Sequence, residues 1–211
     1  MKIFLIRHGQ SETNQTGTFA GHLDAALSSQ GHRQAECLPA FFEGIAVDAI
    51  YSSDLSRAMD TVRPLADSQG LTVHPVRDLR EVYAGEWEGM PFEDLPHRYP
   101  AEYRVWTEDI GNARCTGGES MAEAAVRVDA ALRRIAQQHP DGTVVVASHG
   151  ASLRAVMTLW KTGSVAAMQH CGWMLNAAVS EVDYRDGAFH IVRENVTHHL
   201  GNLTTAMPKG V

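Results

Sequence analysis

Cysteine is scarce in this chain: Cys37, Cys115 and Cys171 are the only thiols among 211 residues. An odd, widely spaced set of three argues against a disulfide framework and a cysteine-based zinc site, and suits free thiols in a reducing compartment. Long apolar runs are missing too. The longest are strand-sized and fall short of a membrane span, and the opening "MKIFLIRHG" meets a charge too early to supply a signal-peptide core. The expectations are therefore a cytoplasmic location and no membrane partner. Positive charge is the third deficit, with 18 Lys and Arg against 25 Asp and Glu and a net charge of -7 at pH 7. Without a basic run nothing attracts nucleic acid, and any cationic site has to be local.

What is present is an alternation of strand-like and helix-like runs, the pattern of an α/β protein with a largely parallel sheet. The length suits a single domain over 1–211, with room for insertions. "IFLIRH" is apolar without polar alternation, as expected of a strand covered on both faces. "VDAIYSSD", "LTVHPV" and "TVVVASHG" read as further strands. One helix is expected over "SSQGHRQAECLPAFFEG" and another over "LSRAMDTVRPLADSQG", which Gly70 ends and Pro64 kinks or shortens. A third runs over "ESMAEAAVRVDAALRRIAQQH", opening on the capping-box pair Ser120 and Glu123, and a fourth over "ASLRAVMTLWK". "AAVSEVDYRDGAFHIVREN" reads as a hairpin turned at Arg185-Asp186-Gly187. The irregular stretch of about 83–118, with Trp87, Trp106 and several Gly and Pro, is expected to form a small cap or lid. The tail "THHLGNLTTAMPKGV" is expected to be partly mobile. Hairpin and tail are the segments open to a homodimer contact.

Chemistry gathers at strand ends. "FLIRHG" and "VVVASHG" both finish in His-Gly, and the carboxyl ends of parallel strands lie along one sheet edge, so His8 and His149 can meet over one crevice. Gly9 and Gly150 permit close backbone approach, and Gly150 begins a helix whose free N–H groups suit an anion. A further strand-to-helix passage places Arg57 in a first helical turn, where with Arg7 it makes a guanidinium clamp that matches phosphate oxygens. "LREVYAGEWEG" offers Glu81, Glu86 and Glu88 as proton donors, since a carboxylate beside a bound phosphate is held protonated by like-charge repulsion. The residues do not choose among the three. Taken singly, each has an ordinary explanation: strand-end histidines are mostly structural, lone arginines and glutamates mostly solvated, and Trp87 and Trp106 mostly packing residues. The adjacent His198 and His199 lack a third metal ligand. The coincidence at several strand ends is what carries weight.

"LIRHGQSETN", "SSDLSRAMDT", "LREVYAGEWEG", "GGES" and "VVVASHG", in that order over most of the chain, resemble the histidine phosphatase superfamily, the group with phosphoglycerate-mutase-like folds. The resemblance implies a three-layer α/β sandwich, with a mostly parallel central sheet, helices on both faces and a small cap insertion. It implies that His8 attacks phosphorus and becomes a phosphohistidine, that Arg7, Arg57 and His149 hold the phosphoryl oxygens, and that Glu81 is the proton donor. Asn14, Gly21, Gly150 and Ala151 are the implied remainder of the substrate pocket. The implied ligand is a small phosphorylated metabolite, with neither a metal nor another cofactor required.

Cofactor-dependent mutases of the family carry an aromatic hydroxyl where this chain has Ala84, an asparagine where it has Ala151, and a longer basic insertion. These departures, with "GEWEG", favour the bacterial phosphatase branch over a mutase-type phosphotransferase. A phosphate-binding module without turnover is the alternative from another class, and it has no need of Glu81. Within the cap, Trp87, Tyr103, Trp106, Arg98, Arg104 and Arg114 are expected to frame the alcohol portion of the substrate.

Overall fold

A computed structural model describes residues 1–206. Six strands, β1 (Lys2–Arg7), β2 (Ala49–Ser52), β3 (Val73–Pro75), β4 (Thr143–Ser148), β5 (Val179–Arg185) and β6 (Ala188–Val196), form one sheet. Its order is β3-β2-β4-β1-β5-β6, parallel from β3 to β1 and antiparallel beyond. The helices are α1 (Glu12–Thr16), α2 (Ser29–Ala35), α3 (Leu38–Phe41), α4 (Ser56–Gln69), α5 (Leu95–Arg98), α6 (Pro100–Glu108), α7 (Met121–Gln138) and α8 (Gly150–Thr162).

The unbroken apolar run of β1 has its cause in these layers. Ile3 and Leu5 pack against Val128, Leu132 and Ile135 of α7 and Leu153 of α8. Phe4 and Ile6 face the other way, onto Leu38 of α3 and Val62 and Leu65 of α4. A strand buried on both faces has no place for polar alternation, and each such side chain contributes roughly 1.5–3 kcal/mol of burial. The expected three-layer sandwich is therefore the observed one.

Local chemistry sets the element ends. α7 opens on the expected capping box, with Glu123 N–H donating to Ser120 Oγ at 3.2 Å and Ser120 N–H to Glu123 Oε2 at 2.9 Å. The β5–β6 turn carries positive φ at Asp186 (54°) and Gly187 (76°), the handedness a two-residue hairpin needs. The helix expected over "SSQGHRQAECLPAFFEG" is instead two, α2 and α3. Pro39 has no N–H to give the carbonyl of Ala35, so the ladder breaks there. Pro64 does not end the helix early: α4 runs through it to Gln69 and ends on Gly70 at φ 65°.

Residues 83–118 contain the 3-10 turn Gly85–Trp87, α5, α6 and the 3-10 turn Ile110–Asn112. They gather around Trp87, Leu95 and Trp106, and this cluster continues into Met121 and Ala125 of α7 and Ala155 of α8. Of the tail, 207–211 lie outside the described residues. The stretch before them is tied to the body by hydrogen bonds. Gln30 and Gln34 donate to the carbonyl of Leu203, and Thr205 Oγ1 donates to Asn176 Oδ1 at 3.0 Å. Among the described residues no helix is long and apolar enough to cross a membrane.

Candidate active site

The register of the sheet builds the site. Arg7 on β1 pairs with Ser148 on β4, so the next residues, His8 and His149, emerge side by side with ring centroids 5.1 Å apart. His8 Nδ1 lies 2.6 Å from the carbonyl oxygen of Gly9. A carbonyl only accepts, so Nδ1 carries the hydrogen and Nε2 keeps a lone pair. Burial first, then the charges of Arg57 and Arg7, hold the His8 pKa well below its ordinary 6.5. His149 caps α8 and its Nε2 lies 2.8 Å from Ser53 Oγ. Ser53 Oγ also accepts from Leu55 N–H at 3.4 Å. Burial, then Arg57 and His8, push the His149 pKa down as well. Both rings are neutral.

Arg57 lies in the first turn of α4 and is 1% exposed. Its Nη1 donates to the carbonyl of Leu23 and its Nη2 to that of Gly21, each at 2.8 Å. Gly21 sits at φ 52°, and a Cβ there would come within 2.7 Å of Ala84 Cβ, so this carbonyl stays in reach only with glycine. Arg7 Nη1 donates to the carbonyl of Met174 at 2.6 Å. Its guanidinium lies over Gly150, where an added Cβ would sit 3.1 Å from Nε. Burial lowers both arginines to about 10, so each remains a cation at neutral pH.

The three glutamates separate cleanly. Glu86 accepts from the Tyr99 hydroxyl at 2.8 Å, and Glu88 Oε1 accepts from His22 N–H at 2.7 Å. Glu81 alone of the three lines the cleft with Arg7, His8 and Arg57. The expectation that the first N–H groups of α8 stand free for an anion is corrected at Ala151 and Ser152. Ala151 and Ser152 N–H donate to Glu81 Oε2 and Oε1 at 3.0 and 2.8 Å, so the carboxylate already occupies that helix start. Asn14, Gly21, Gly150 and Ala151 all line the cleft, which encloses about 560 Å³ including its open mouth.

The expected frame of cap residues is also corrected. Arg98 and Arg104 are exposed and do not line the cleft, and Arg114 is turned onto Glu123 and the carbonyl of Gly118. Trp87 is fully buried with its Nε1 on Thr116 Oγ1 at 3.1 Å, and Tyr103 also stands away from the cleft. Only Trp106 of that group reaches it, beside Phe19, Phe92 and Trp173. Sequence reasoning missed these three aromatics, and it missed Ser53 and Asn176. Asn176 Nδ2 donates to the carbonyl of His8 and to Asn14 Oδ1, both at 3.1 Å. Nothing in the pattern around Asn176 marks it, because the site residues it holds, His8 and Asn14, lie more than 160 residues away. Among the described residues no group of His, Cys, Asp and Glu could hold a metal ion.

An α/β sheet that brings paired neutral histidines and paired buried arginines to one strand edge defines a protein built to seat a phosphoryl group. Comparison with known proteins gives the family. The profile of the histidine phosphatase superfamily (branch 1) matches residues 3–197, and the chain belongs to that family. It is 32% identical to Phosphoserine phosphatase 1 of Hydrogenobacter thermophilus over 211 residues, covering all of both chains. It is 31% identical to the metal-independent phosphoserine phosphatase of Arabidopsis thaliana, over 96% of this chain and 84% of that one. Among solved structures, a mycobacterial glucosyl-3-phosphoglycerate phosphatase superposes with a TM-score of 0.84 at 29% identity, covering 93% of this chain and 99% of that chain.

Proposed function

We infer that this protein is a phosphomonoester hydrolase of small phosphorylated metabolites, working through a phosphohistidine on His8. The observation that carries the mechanism is the tautomer: Nδ1 is committed to Gly9, so the Nε2 lone pair of a neutral ring is the nucleophile. Phosphoryl transfer needs positioning and charge stabilisation above all. Arg7 and Arg57 supply fixed positive charge, and each uses its carbonyl bonds to orient the remaining N–H groups. Arg57 Nε and His149 Nδ1 are buried without a hydrogen-bond partner; the first suits a donor for a phosphoryl oxygen, and the second does so in the Nδ1–H tautomer of His149. Asn14 spends its Oδ1 on Ser11 and Asn176, leaving its Nδ2 for the ligand.

In the first half-reaction His8 Nε2 bonds to phosphorus as the ester P–O bond breaks, and Glu81 gives its proton to the leaving alkoxide. In the second, Glu81 takes a proton from water as that oxygen bonds to phosphorus and the P–N bond breaks. Inorganic phosphate leaves and the site is restored, one carboxyl group serving both directions. Rapid quenching during turnover should trap acid-labile phosphate on the wild-type enzyme and none on His8→Ala. If His8→Ala kept wild-type turnover, the mechanism would be wrong.

The reading takes 1–211 as one domain with 83–118 as its cap, supported by the continuity of the Trp87 cluster into α7 and α8. It places the enzyme in the cytoplasm, in keeping with its free thiols. It also allows a homodimer through the β5–β6 hairpin, where β6 ends the sheet and carries Val192 at 50% exposure. Light scattering on the purified protein gives the mass that decides this last point.

A further inference from the structure

We propose that the alcohol portion of the natural substrate is uncharged and carries an aromatic or comparably flat apolar group; this rests on the phosphatase reading above. Beyond the phosphoryl end the cleft is walled by Phe19, Val82, Phe92, Trp106 and Trp173. The ionisable side chains lining the cleft are Arg7, His8, Arg57 and Glu81, and the reaction uses all four. A carboxylate or ammonium on the leaving alcohol would sit against this wall without a counter-charge, which is costly wherever water is displaced. Arg80 is paired with Asp54 and Arg127 with Glu119, and Arg154, behind Trp173, is no substitute. It is 8% exposed, lies beneath the Trp173 ring at 4.4 Å, and donates through Nε and Nη2 to the carbonyls of Cys171 and Met168.

The polar side chains of the wall are engaged as well. Ser11 Oγ accepts from Asn14 N–H and lies 2.9 Å from Thr13 Oγ1, while Thr18 Oγ1 lies 3.0 Å from Thr16 Oγ1. The aromatic wall, by contrast, is held ready. Phe19 meets Trp106 edge-on at 5.0 Å and Trp87 at 5.6 Å, and its backbone bonds to Met90 and Gly89. Phe92 packs on it at 5.4 Å, and Trp173 is fixed from behind by Arg154. Fixed rings lose little freedom when a ligand arrives, so their apolar area counts toward binding. The preferred leaving group thus departs from the amino-acid head of phosphoserine, which names two of the relatives.

The test compares kcat/KM for benzyl phosphate, O-phosphoserine and glycerol 1-phosphate, all esters of primary alcohols, so that leaving-group basicity does not dominate. Benzyl phosphate is expected to lead both others at least tenfold, the order of factor that burying a phenyl ring supplies. Phe92→Ala and Trp173→Ala should each collapse the benzyl-over-glycerol ratio, mainly through KM, whereas Arg104→Ala at an exposed site should preserve it. The two aromatic variants lie on different segments, so a shared result separates loss of the slot from loss of the fold. Equal or better use of phosphoserine overturns the proposal, as does a loss in both variants that falls alike on all three esters. No turnover of any ester and no phosphohistidine on the wild type would overturn the parent reading and this proposal together, a result distinct from a wrong order of preference.

Discussion

A histidine attacks only while its ring is neutral, and two buried histidines here stay neutral at a cost in acid. His8 and His149 both titrate well below 6.5 in the folded protein, mainly through burial. Unfolded, they bind protons near 6.5. Stability from this source is complete above that pH and falls as the pH drops from 6.5 toward the folded values, by at most about 1.4 kcal/mol per pH unit for each ring. Urea unfolding at pH 7.5, 6.5 and 5.5 should show this slope, and His149→Asn should flatten it. Glu81 makes a second residue-scale prediction. Glu81→Gln should lower kcat about 10²–10⁴-fold for alkyl phosphates, whose leaving oxygen needs a proton. For 4-nitrophenyl phosphate, whose phenolate leaves unaided, the first half-reaction should be much less affected, and a burst of nitrophenol read in stopped flow checks this.

At the scale of elements, Glu81 depends on a strap from α7. Arg127 donates to the carbonyls of Asp78, Arg80 and Glu81 at 2.9, 3.0 and 3.2 Å while gripping Glu119 with Nε and Nη2. Ser148 and Ser152 hold the carbonyls of Leu79 and Arg80. Arg127→Met should therefore cut kcat for alkyl phosphates about tenfold, with a smaller effect on the 4-nitrophenyl burst, since the residue acts through Glu81. A purely structural role would depress both alike. The contact between α2 and the loop that follows β1 is equally tight. A Cβ on Gly31 would lie 2.0 Å from the carbonyl oxygen of Gln10, so Gly31→Ala should cost about 1–3 kcal/mol in a denaturant titration.

These elements also divide what the chain discloses from what it hides. β1 and β4 were legible because burial on both faces leaves an apolar run, and α7 because its caps and its apolar stripe agree. The phosphoryl end of the site was legible because its residues close those same strands. The alcohol end was not: Phe19, Phe92 and Trp173 come from three separate loops, and no periodicity joins them. Arg98, Arg104 and Arg114 misled because charge can be read from a sequence and direction cannot.

For the whole molecule, the site and the fold are one thermodynamic system. A ligand that binds only the folded state adds about 1.4 kcal/mol at ten times its Kd. Inorganic phosphate should accordingly raise the melting temperature in a concentration-dependent way, and Arg57→Ala should abolish the rise. The sheet order has a consequence in time rather than in energy. β1, with the proposed nucleophile next to its end, pairs only with β4 and β5, which begin at Thr143 and Val179. A ribosome adding roughly 5–20 residues per second leaves the strand waiting on the order of ten seconds or longer for either neighbour. Until then Ile3, Phe4, Leu5 and Ile6 have no sheet to enter, so the half-made chain is the form most in need of a chaperone.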